Sequence, residues 1–75
     1  METTVLAERI GQLKALEHAI RKSITLREDQ DEDADSQHRD EAGRCGIVIE
    51  HLDTKGELLN AVQTAVRAMQ ARSGK

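Results

Sequence analysis

"CGIVIEHLDTKGELL", residues 45–59, is where the reading of this chain divides. Cys45, Val48, Leu52, Leu59, Val62, Val66 and Met69 are spaced by threes and fours, with Lys55 as the one polar member of the series. That period is the mark of one helix held in a single heptad phase. Two features oppose it. Thr54 and Glu57 make a capping box next to Gly56, which is how a fresh helix begins. The β-branched run Ile47-Val48-Ile49 suits a strand instead, yet the chain offers no second strand to pair with it. The periodicity therefore predicts a helix over about 36–72, kinked near 53–56.

Upstream, Leu6, Ile10, Leu13, Leu16, Ile20 and Ile24 form a second apolar stripe at helical spacing. Thr3 or Thr4 is the expected N-cap, and Gly11 sits inside the helix, where it costs up to about 1 kcal/mol relative to Ala. Continued into the acidic run, this helix covers about 3–33. Folding the chain back at 34–35 sets Ile24 by Cys45, Ile20 by Ile49, Leu13 by Gly56 and Ile10 by Leu59, so that apolar stretches meet. The expected fold is all-α: one domain over 1–75, an antiparallel, coiled-coil-like helical hairpin with an acidic apex at 27–44.

Composition points the same way. The chain has no Phe, Tyr, Trp or Pro, which removes the residues that β sandwiches and barrels lean on. A chain of 75 residues buries only about 60% of its unfolded surface, so a staple or a partner is expected. Cys45 is the sole cysteine and cannot form an internal disulfide, which fits a reducing compartment. "METTVLAERIGQLK" carries an acid at position 2 and lacks a long apolar run, which argues against a secretory signal. No apolar run approaches the roughly 20 residues that span a bilayer, and the expected location is cytoplasmic.

A second apolar line flanks the seam. Ile47, Leu58, Ala61 and Ala65 lie beside it on the later helix, and Val5, Ala19 and Leu26 on the first. Left uncovered they would form a patch, and two hairpins dimerising into a four-helix bundle would cover it. Ile47, Leu58, Ala61, Ala65, Val5 and Leu26 are accordingly the expected partner-binding residues, facing a second copy or another helical protein.

Charge is segregated. Residues 28–41 hold eight carboxylates against Arg39, a net of −7, while the rest of the chain is +4. That distribution argues against a nucleic-acid clamp and against membrane-surface binding, both of which need a concentrated basic face. Asp29, Asp31, Glu32, Asp33, Asp35, Asp40 and Glu41 form an acidic surface that could receive a basic protein. The same stretch can be laid on a calcium loop from Asp29 to Asp40, with aspartates at positions 1, 3, 5, 7 and 12. Ala34 stands where that loop needs its turn Gly, Ser36 where an apolar residue belongs, and Asp40 where a bidentate Glu usually sits.

Other chemistry finds little support. His38, Cys45 and His51 match no common zinc spacing, and Cys45 reads as a small buried hydrophobe. Gly43 and Gly46 lack the lysine and spacing of a phosphate loop, and Ser23, Ser36 and Ser73 lie in no nucleophile-elbow context. No cofactor is expected, and no enzyme. Arg67, Arg72 and Lys75 complement the dipole of the last helix. The sequence thus predicts a non-enzymatic interaction module working through apolar helical faces. A charge-mimicking regulator is the alternative and a divalent-cation binder the third.

Overall fold

A computed structural model describes residues 2–73, with side chains described for 5–72. It is an all-helical fold of three α-helices, α1 (Glu2–Ser23), α2 (Ser36–Arg44) and α3 (Lys55–Ser73), with a 3₁₀ turn at Arg27–Asp31. Among the described residues there is no strand, only an isolated antiparallel bridge between Asp33 and Thr54.

The first stripe does what its spacing predicts. Leu13, Leu16 and Ile20 are buried, and Leu6, Ile10 and Ile24 are half-buried on the same side. The helix starts at Glu2, ahead of the threonines expected to cap it, whose side chains lie outside the described set. It also stops ten residues short of the expected end at 33. The cause is Asp29. Its Oδ2 accepts hydrogen bonds from the backbone of Thr25 (3.0 Å) and Leu26 (2.9 Å) and from the Thr25 hydroxyl (2.8 Å). A short acidic side chain that captures backbone donors offers the chain an alternative to helix, and the 3₁₀ turn follows from it.

The segment 32–35 then runs against the start of α3. Lys55 N–H donates to the Glu32 carbonyl (2.9 Å), and Ala34 N–H donates to the Asp53 carbonyl (2.8 Å). Gly56 makes this approach feasible: a Cβ there would stand 3.2 Å from both the Cβ and the carbonyl oxygen of Gln30. Gly56 therefore faces the acidic segment, where the sequence register had placed Leu13 opposite it. Asp35 closes the segment as N-cap of α2, its Oδ1 accepting from Gln37 N–H at 2.9 Å.

α2 ends where the expected long helix should have continued. Gly46 takes φ +90°, Ile47 N–H donates to the Ala42 carbonyl (3.0 Å), and Gly46 N–H donates to the Gly43 carbonyl (3.0 Å). These are the two bonds of a Schellman stop, which needs a left-handed residue at the position Gly46 occupies. Its apolar clasp is present too, since Ala42 is buried and Ile47 packs on the same cluster. The helix expected over 36–72 is thus two helices separated by residues 45–54. α3 restarts on the capping box: Glu57 N–H donates to Thr54 Oγ1 (3.2 Å), while Thr54 N–H (3.2 Å) and its hydroxyl (2.9 Å) donate to Glu57 Oε1.

The break resets the phase of everything after it. The buried face of α3 is Leu58, Val62 and Val66, with Leu59, Ala65 and Met69 partly buried beside it. Together with Leu13, Leu16, Ile20, Ala42 and Cys45 these residues make the core. Lys55, the polar anomaly of the heptad series, lies at the other end of α1. Its Nζ donates to the Ser23 carbonyl (3.3 Å) and pairs with Glu32 (3.4 Å). The start of α3 therefore sits beside the end of α1, and the two helices run antiparallel.

Candidate functional site

The acidic run and the apolar faces carry the sequence expectations, and the fold treats them differently. Within the acidic run, two of the four alternating aspartates are turned to local backbone. Asp29 holds the chain after α1 and Asp35 caps α2. The Asp29 carboxyl is held below its ordinary value of 3.8 by the hydrogen bond from the Leu26 backbone first, with the Thr25 hydroxyl and amide and the charge of Lys55 adding to it. Glu32 pairs with Lys55, and Glu41 is half-buried. Glu28, Asp31, Asp33 and Asp40 remain exposed at the surface.

The calcium-loop alignment does not describe this arrangement. Asp29 and Asp35 point at N–H groups, and Asp33 lies in the bridge to Thr54. Among the described residues no three His, Cys, Asp or Glu side chains converge as a metal site requires. Nor is the segment an apex beyond the end of the core, since Ala34 packs against the core cluster itself.

The expected partner-binding residues do not gather on one face. Leu58 is only 1% exposed, one of the most deeply buried side chains, so it is a core residue and not a surface one. Ile47 and Ala65 pack against the core, and Ala61 is half-buried. Val5 and Leu26 are exposed, at 60% and 62%, but they lie near opposite ends of α1. The six residues do not form one patch.

Exposed or half-exposed apolar residues are found at two other places. The first is the free end of the α1–α3 pair. α2 runs along α1 only as far as Cys45, whose Sγ lies 4.0 Å from Gln12 Oε1, and Gly46, whose nearest neighbour for an added Cβ is Arg9 Nη1 at 3.9 Å. Beyond that level Val5 is exposed and Leu6 and Ile10 are half-buried, and among the described residues no third helix lies beside the α1–α3 pair. The second is Val48, 72% exposed between the half-buried Ile47 and Ile49. The sequence reading set Val48 on the seam. The sequence signal for its true place was the β-branched tripeptide Ile47-Val48-Ile49 directly after Gly46, which ends α2.

Between α1 and α2 lies an open groove of about 420 Å³, lined by Gln12, Ala15, Leu16, Glu41, Arg44 and Cys45. Cys45 is buried at its floor as a free thiol. No helix among the described residues is long and apolar enough to cross a membrane. Comparison of the chain with protein-family models, with curated proteins and with solved structures found no match.

Proposed function

We propose that this chain is a small interaction protein without catalytic chemistry of its own, which buries apolar helical faces against another helical surface. A second copy of itself is the partner it fits best. The observation that carries the reading is the early stop of α2. It leaves Val5 exposed and Leu6, Ile10 and Met69 half-buried at one end of the α1–α3 pair. Two antiparallel helix pairs covering each other's free ends would make a four-helix bundle of C2 symmetry.

Sedimentation velocity across 1–200 µM (about the range where such a contact would show) tests this directly. The wild-type chain is expected to dimerise. Val5→Glu, at an exposed position, should shift the equilibrium to monomer while helix content is retained. A wild-type monomer throughout that range, or a dimer indifferent to Val5→Glu and to Ile10→Ala, would count against the proposal.

The exposed carboxylates Glu28, Asp31, Asp33 and Asp40 favour a second reading, in which this pole receives a basic protein surface. Binding to a polylysine probe should then weaken steeply with salt and be lost in the triple variant Asp31→Asn, Asp33→Asn, Asp40→Asn. Binding that the triple variant retains would refute it.

A further inference from the structure

Arg39 is half-buried on α2 and makes no ion pair among the described residues. Its Nη2 donates to the Ile49 carbonyl (3.1 Å), but its Nε is buried and meets no acceptor there. A guanidinium withdrawn from water with one donor unmatched costs stability, more than a neutral group in the same position would. Nor does the Ile49 carbonyl depend on it, since that oxygen also accepts from Leu52 N–H (3.1 Å). Removing the guanidinium would leave no acceptor unpaired.

The segment that Arg39 touches is lightly held. From Val48 to Leu52, the Arg39 bond is the one hydrogen bond to another element among the described residues. Ile49 and Leu52 are half-buried against the core, and Ile49 Cδ1 lies over Gly43, 3.5 Å from where a Cβ would stand. The two ends are fastened separately. Ile47 N–H is bonded to the Ala42 carbonyl in the stop of α2, and the Asp53 carbonyl accepts from Ala34 N–H. A short segment with fixed ends, thin packing and few bonds belongs to the class of units that open without unfolding the rest.

We propose that residues 48–52 are a strap over α2 that opens on its own, and that Arg39 is the residue that keeps it easy to open. In the closed state Ile49 and Leu52 are partly covered and Arg39 Nε is held away from water. In the open state the guanidinium is hydrated and both aliphatic side chains are bared, while the α1–α3 pair stays folded. One equilibrium thereby sets how much apolar surface this side of the molecule offers. The strap is a device beyond the association proposed above and does not depend on it.

Amide hydrogen exchange followed by NMR, at one fixed protein concentration, tests this. After correction for intrinsic rates, Leu52 N–H is expected to exchange about tenfold or more faster than the amides of Val62 and Val66 in the core of α3, and with a much weaker dependence on urea. Arg39→Met keeps the length of the side chain and removes every donor. It should slow Leu52 exchange about threefold or more, because the bond it loses leaves nothing unpaired and the cost of the unmatched donor disappears. Ile49→Ala, which removes packing from the strap, should speed the same exchange. If Leu52 exchanges no faster than Val62 and follows urea as steeply, the strap opens only with the whole fold and the proposal is wrong. If Arg39→Met leaves Leu52 exchange unchanged or speeds it, the guanidinium does not loosen the strap, and the proposal fails on that count.

Discussion

Replacing Gly56 with Ala should fail to stabilise this protein, although by helix propensity alone it ought to. Gly56 is the second residue of α3, and Ala in a helix is favoured over Gly by up to about 1 kcal/mol. Against that gain stands the backbone of Gln30. An added Cβ would lie 3.2 Å from the Gln30 Cβ and 3.2 Å from its carbonyl oxygen, where 3.5–4.0 Å is about the optimal separation. The acidic segment must withdraw by several tenths of an ångström. Two bonds hold it in place within four residues of Gln30, from Lys55 N–H to the Glu32 carbonyl and from Ala34 N–H to the Asp53 carbonyl. Each contributes about 0.5–1.5 kcal/mol, so loosening both offsets or exceeds the helix gain, and the net change should fall between about zero and 2 kcal/mol destabilising. Gly11→Ala is the control. Nothing lies within 4 Å of a Cβ at Gly11, so the gain of up to about 1 kcal/mol should be realised there, a rise in Tm of some 4–8 °C. Urea and thermal melts of the two variants, at one fixed protein concentration, give the comparison. Amide exchange at Ala34 and Lys55 should accelerate in Gly56→Ala and stay unchanged in Gly11→Ala. If Gly56→Ala stabilises as much as Gly11→Ala with both amides still protected, the acidic segment is not seated on α3 and the account of the fold given above is wrong.

Three further outcomes follow from the same geometry. Gly46→Ala should destabilise by about 1–2 kcal/mol, because φ +90° penalises any Cβ even though no side chain blocks it, and a urea titration would show the loss. Leu58→Ala should lose about 2–5 kcal/mol and Val48→Ala close to nothing in a monomer-concentration melt; a heptad phase running unbroken through 45–69 predicts the reverse. The Asp29 carboxyl, followed by NMR titration, should have its midpoint below 3.8. Since its folded value is depressed, the stability it contributes is present above the unfolded value and disappears as pH falls through the folded one, so acid should release the amides of Thr25 and Leu26 before those of α1.

The fold was legible where side chains do one job. Leu13, Leu16 and Ile20 are apolar and helically spaced, and nothing local competes with their burial. Thr54 and Glu57 could be read as a capping box because that pattern has a single geometric meaning. Reading failed where one residue type serves several ends. Gly46 was the stop signal for α2, with Arg44 in the last turn before it, but the apolar period continued in phase across the break and outweighed it. A three-and-four spacing is a statement about one rigid helix, and it carries no information across a segment where the chain changes direction. That is why Leu58 moved from the expected surface to the core and Val48 moved the other way.

The acidic run raises the harder question of why so many carboxylates stand together. Part of the answer is electrostatic. Asp35 caps α2, and the bridge from Asp33 to Thr54 sets the start of α3 beside it, so the N-termini of two helices meet at one end of the molecule. Each N-terminus carries the equivalent of roughly half a positive charge, and acidic side chains nearby are stabilised by it. Lys55 adds a full positive charge at the same place while closing the last turn of α1. Glu32, Asp35 and Glu57 answer those charges directly, through hydrogen bonds or an ion pair, while Asp29 is committed to the backbone of Thr25 and Leu26. Glu28, Asp31, Asp33 and Asp40 do neither. The density of acid is therefore explained for the residues that face the helix starts and left over for those that face solvent. The second group is where a basic partner would have to bind.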